Sequence, residues 1–70
     1  MTPTIYTLKD EWTGSLGIAF GAHGEEAMER HVKQIVRARS YHGRIISVLD
    51  QDAKVVLRLR GAPRPRVLEV

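Results

Sequence analysis

No cysteine occurs in this 70-residue chain, so its fold must be held by one small hydrophobic core with no disulfide to reinforce it. A chain of this size buries only about 60% of the surface it exposes when unfolded, which makes a deep, water-excluding catalytic pocket hard to build. The other common staple is a structural metal. Only His23, His31 and His42 offer nitrogen ligands, and their spacings of 8 and 11 match neither an i, i+4 helical pair nor a His-Glu-x-x-His arrangement. The expectation is one domain over residues 1–70 that binds rather than catalyses, with no metal and no cofactor.

Met1-Thr2-Pro3-Thr4 opens the chain without a basic stretch and apolar run, and no segment approaches the roughly 20 apolar residues of a membrane span. With cysteine absent as well, the chain reads as cytoplasmic and free of membrane contact.

Hydrophobic patterning divides the chain into six elements. Thr4 to Lys9 follows Pro3 and is rich in β-branched and aromatic residues, which predicts a first strand. Asp10 to Ser15 has turn chemistry, and Leu16 to Phe20 predicts a second strand, weakened by Gly17. From Gly24 to Arg39 strong helix formers take over. Glu25, Glu26 and Glu29 occupy the first turns and Arg37 and Arg39 the last, matching the helix dipole at both ends. Met28, Val32, Ile35 and Val36 make one apolar stripe, with His31 at its margin expected to be partly buried. Arg44 to Leu49 and Val55 to Arg60 predict an antiparallel hairpin across the polar turn Asp50 to Ala53. In its second strand Val55, Leu57 and Leu59 should face one way and Val56, Arg58 and Arg60 the other. Pro63 and Pro65 interrupt the sheet before a short return strand at Val67 to Val70. The fold class is α+β, in the order β-β-α-β-β-β: an antiparallel sheet packed on one amphipathic helix.

Charge is unevenly shared. Residues 1–34 balance at −2 and residues 35–70 at +5, for a total of +3, and seven of the eight cations in the later segment are arginine. Arginine's planar fork binds phosphate or carboxylate bidentately and is weakly hydrated, which suits an interface. Arg37 and Arg39 are accounted for by the helix end, which leaves Arg44, Arg58, Arg60, Arg64 and Arg66 as candidate partner-binding residues on one side of the hairpin and its proline-stiffened tail. Such a stripe suits a phosphate backbone or an acidic protein surface. A solvated basic face, with arginine favoured by codon bias or placed to deter edge-to-edge aggregation, is the competing reading of the same residues.

No reaction is written in the remaining motifs. Gly14, Gly17, Gly21 and Gly24 match neither the Walker pattern nor the dinucleotide fingerprint, and no Gly-x-Ser-x-Gly elbow is present. Tyr6, Trp12, Phe20 and Tyr41 all precede the arginine-bearing strands, so base readout by stacking is not expected from them.

The run Lys33-Gln34-Ile35-Val36-Arg37-Ala38, followed by Tyr41-His42-Gly43-Arg44-Ile45-Ile46, an aromatic-His-Gly entry into a strand, together with the element order, resembles the small phage-encoded anti-CRISPR proteins that inhibit type I surveillance complexes. That resemblance implies a non-enzymatic inhibitor in the cytoplasm of a bacterial host. It would bind a Cas or other nucleoprotein complex, acting as a nucleic-acid mimic or competitor that blocks target DNA binding, with Arg44, Arg58, Arg60, Arg64 and Arg66 as the contact set. The glycine-rich first strands and the Pro-Arg-Pro-Arg tail depart from the pattern and leave the target subunit open. A stand-alone basic protein that holds DNA or RNA backbone non-specifically is the alternative, and an oligomeric structural or accessory subunit the third. The molecule is expected to be a monomer or weak homodimer.

Overall fold

Alternation of inward and outward side chains along Thr4–Asp10 forms β1, and the computed structural model, which describes residues 2–70, continues with β2 at Leu16–Ala22 and α1 at Glu25–Ile35. A short 3-10 turn at Arg39–Tyr41 leads to β3 at Ile45–Leu49, β4 at Val55–Arg60 and β5 at Arg66–Leu68. The five strands form one sheet in the order β2-β1-β3-β4-β5, every neighbouring pair antiparallel. The expected α+β class and element order are therefore present. Hairpins make three of the four pairings, and α1 provides the long connection that carries the chain from the β2 edge back to β3.

The period-2 pattern decides which face is buried. Tyr6 and Leu8 of β1, Ile46 and Val48 of β3, and Leu57 and Leu59 of β4 all face inward and are buried. Met28, Val32 and Val36 close the core from the helix side, and Phe20, Ile35 and Tyr41 pack around it. Removing a large side chain such as Leu59, fully buried here, typically costs about 2–5 kcal/mol. The opposite face of the sheet has no helix over it.

Several boundaries differ from the sequence expectation. The helix stops at Ile35 rather than Arg39, because the Ala38 amide turns back to the Ile35 carbonyl at 3.2 Å and Ala38 is extended. Val36, at the helix end, is fully buried, so the chain turns away as soon as that side chain has reached the core. Arg39 consequently lies in the 3-10 turn. Arg44 precedes β3, and β5 begins one residue early, at Arg66, and ends at Leu68. His31 is exposed rather than partly buried, with its ring stacked on Phe20 at 4.4 Å between centroids.

A register shift between Val48 and Leu49 reverses the expected facing of Val55 and Val56. Leu49 pairs with Val55 while Val48 pairs with Leu57, so an extra residue sits in β4. Val55 joins Arg58 on the outer face and Val56 packs against the core. A second shift places an extra residue in β2 between Leu16 and Ala19.

The junction before β3 depends on glycine. Gly43, at φ +81°, donates to the Gly61 carbonyl at 2.9 Å, and the Gly61 amide donates to the Arg44 carbonyl at 2.9 Å. A Cβ on Gly61 would meet the Tyr41 carbonyl oxygen at 2.0 Å, so no larger residue fits there.

Candidate binding surfaces

The five candidate arginines do not share one side of the hairpin. Arg58 lies on the outer sheet face in a row with Lys9 and Ser47, set by the pairings Lys9 to Ser47 and Ser47 to Arg58. Its guanidinium donates to both oxygens of Glu11, from Nε at 2.6 Å and from Nη2 at 2.8 Å, and Nη1 donates to the Glu69 carbonyl at 2.9 Å. The Ser47 hydroxyl also donates to Glu11 and is buried beneath this ion pair. Arg58 is thus a structural cation that ties the end of β1 to β4.

Arg44 is engaged as well. It donates to Asp10, and its guanidinium carbon lies 5.5 Å from the centroid of the Trp12 ring. Asp10 in turn organises the β1–β2 turn, its Oδ1 accepting from the amides of Trp12 at 2.9 Å and Thr13 at 3.4 Å. This is ordinary Asx-turn chemistry.

Both carboxyls are perturbed by these contacts. Hydrogen bonds from Arg58 and then Ser47 hold Glu11 down at about 2, against the modest opposing effect of burial. For Asp10 burial pushes the carboxyl up, but the Arg44 hydrogen bond and the Trp12 and Thr13 amides together outweigh it and leave the carboxyl below its usual value. The two acids spend their charge on Arg44 and Arg58.

Arg60, Arg64 and Arg66 remain. Arg60 and Arg66 are directly opposite one another across β4 and β5, and both are exposed. Among the described residues no carboxylate lies within ion-pair distance of either. Arg64 turns to the other side of the molecule, where it faces the helix.

There the structure assembles a surface that the sequence pattern did not indicate. An open groove of about 890 Å³ runs between α1 and the segment joining β4 to β5. Arg30, Lys33, Gln34 and Arg37 line it from the helix side, Pro63, Arg64 and Pro65 from the other, with Ala27 and His31 completing the wall. Four of these side chains are cationic and none is acidic. Lys33 is paired with Glu29 at 2.9 Å, but both are substantially exposed, so water screens that pair. His42 ties down the backbone at Arg37: its Nε2 lies 2.9 Å from the Arg37 carbonyl oxygen, which accepts a hydrogen bond from the ring.

A smaller hollow of about 390 Å³ on the outer face is lined by Lys9, Glu11, Ser47, Val55, Arg58 and Val70. The Glu11–Arg58 pair fills its polar side. Among the described residues no group of three or more His, Asp or Glu is placed to hold a metal, and no helix is long and apolar enough to cross a membrane.

A basic cluster therefore forms at the β5 edge of the sheet: Arg60 and Arg66 lie on one side of β5, and Arg64 with Arg30, Lys33 and Arg37 on the other. Neither a family model, nor a curated protein, nor a solved structure matches this chain.

Proposed function

We propose that this chain is a non-enzymatic binding protein that grips the sugar-phosphate backbone of a nucleic acid in the groove between α1 and the β4–β5 segment. The observation that carries this reading is the lining of that groove: Arg30, Lys33, Arg37 and Arg64, with no acidic side chain among them. Clustered guanidinium groups in a concave, partly apolar wall attract phosphates and gain affinity by releasing their counterions. The stiff Pro63-Arg64-Pro65 segment holds its cation at low entropic cost. The groove offers no hydroxyl, thiol or carboxylate to attack a bound ester, and its one imidazole, His31, is stacked on Phe20. That supports binding over catalysis.

The resemblance to anti-CRISPR proteins makes a Cas surveillance complex the candidate nucleoprotein. A surface built to hold DNA is itself basic and would repel this groove. An inhibitor with such a groove acts by holding the guide or target strand rather than by imitating it, so the partner contact runs through phosphate.

The reading is tested by titrating labelled duplex and single-stranded DNA and RNA across a range of salt. If the four groove cations each displace a counterion, the logarithmic salt slope on duplex DNA is about −3 to −4. Arg37→Gln combined with Arg64→Gln should flatten it by roughly two, because two phosphate contacts are lost. Failure to bind any nucleic acid at low salt, or a slope unmoved by the double variant, overturns the groove as the site. Mixing the protein with an assembled surveillance complex tests the finer claim: co-elution that is lost in the same double variant supports it, and independent elution opposes it.

A further inference from the structure

The two edges of the sheet are built differently. β5 is three residues long, is preceded by Pro63 and Pro65, and carries Arg66, all of which discourage another strand from adding to it. β2 has none of these guards. It runs for seven residues as Leu-Gly-Ile-Ala-Phe-Gly-Ala, without a charge or a proline, and most of its length is exposed. Leu16 is 66% exposed and Ile18 48% exposed, while Trp12, in the turn that enters β2, is 81% exposed. The large apolar side chains left in water on this hairpin lie at the opposite end of the sheet from Arg60, Arg64 and Arg66.

We infer that β2 is a dimerisation edge, pairing antiparallel with β2 of a second copy of this chain to make a continuous ten-stranded sheet. This inference is independent of the groove reading. Three observations select a second copy as the occupant. An uncharged strand is self-complementary across a two-fold axis, since each copy gives and receives the same row of backbone groups and no like charges meet. The guarded β5 edge prevents β2 from adding head-to-tail to β5 of another molecule, so the pairing closes at two chains instead of growing into a fibre. The charge distribution agrees: joining the β2 edges puts the basic ends farthest apart, whereas any contact through the β5 ends would bring cations together.

The extra residue between Leu16 and Ala19 twists the start of the strand, so the regular stretch that can pair is centred on Ala19 to Ala22. A two-fold axis perpendicular to the sheet keeps both helices on one side, and the two basic grooves then lie at the far ends of the assembly.

Light scattering on the eluting peak, repeated over a wide range of protein concentration, tests the inference. The expected mass is twice that of one chain at high concentration, unchanged by high salt because the interface is uncharged. Ile18→Lys and, separately, Ala19→Lys place a cation on the exposed edge and should each halve the mass while leaving the far-ultraviolet circular dichroism spectrum in place. Val67→Lys, on β5, should leave the mass doubled. Hydrogen exchange adds a direct readout: amides of Ala19 to Ala22 not bonded to β1 should be protected in the wild type and lose that protection in the Lys variants. A wild type that stays at the mass of one chain at all concentrations overturns the inference, as does a dimer that survives both β2 variants or dissolves in Val67→Lys. So does a monomer whose β2 is captured by a different protein.

Discussion

Glu11 accepts two hydrogen bonds from Arg58 across 47 residues of sequence, at 2.6 Å and 2.8 Å, and so fixes the end of β1 over the outer face of β3 and β4. The contact links residues that are far apart in the chain yet neighbours in the sheet. It also decides what Arg58 is for.

Acid should weaken this link. The Glu11 carboxyl sits at about 2 in the folded protein against an ordinary 4.5. A depressed acid stabilises the fold above its unfolded value and loses that contribution as pH falls through 4.5 toward 2. The full shift would correspond to about 3 kcal/mol, but both side chains are roughly one-third exposed, and screening reduces the contribution to about 1 kcal/mol. Glu11→Gln should therefore lower the thermal midpoint at neutral pH and converge on the wild type near pH 2–3. Parallel melts of the two proteins that never converge in acid would assign the loss to packing rather than charge.

Arg58→Glu should destabilise the protein rather than leave its midpoint unchanged, as a free surface cation would. The new carboxylate faces Glu11, leaves the Ser47 hydroxyl with a crowded acidic partner, and abandons the Glu69 carbonyl. A loss of about 1–2 kcal/mol in urea unfolding is expected, with a larger loss at low salt. Charge reversal at Arg58 is for that reason a poor probe of binding, and Arg37 and Arg64 serve better.

Gly61→Ala tests the contact between the end of β4 and the segment that enters β3. The added methyl would lie 2.0 Å from the Tyr41 carbonyl oxygen, which is held by the amide of Arg44 at 3.0 Å. Backbone must move on both sides, so a destabilisation of about 3 kcal/mol or more is expected from denaturant unfolding. Gly14→Ala is the contrast: nothing lies within 4 Å of a Cβ there, and only the positive φ of +76° is strained. Its cost should stay near 1 kcal/mol.

Legibility in the sequence followed the range of the interaction. The helix stripe of Met28, Val32 and Val36 and the inward Leu57 and Leu59 are local periodicities, and they place the core correctly. The facing of Val55 and Val56 was not legible, because a one-residue bulge depends on the partner strand and leaves no local mark. The Asp10–Arg44 and Glu11–Arg58 pairs join residues 34 and 47 positions apart, beyond any spacing rule, so both arginines read as free from sequence alone. The groove was hidden for a related reason. Arg30, Lys33 and Arg37 look like a solvated helix face until the β4–β5 segment is laid beside them with Arg64.

Arg60 and Arg66 face each other directly across β4 and β5, and like charges in that position oppose pairing of the strands. If the basic end is kept for an anionic partner, stability and binding should pull in opposite directions here. Arg66→Glu replaces a repulsive cross-strand pair with an attractive one and should raise stability by about 0.5 kcal/mol at low salt, fading as salt is added. The same change should weaken nucleic-acid binding, because it removes one cation and adds an anion at the basic β5 edge. Urea unfolding and DNA titration on one preparation measure both effects. A gain in stability with undiminished affinity would confine phosphate contact to the helix side, where Arg30, Lys33, Arg37 and Arg64 would account for it without help from the outer face.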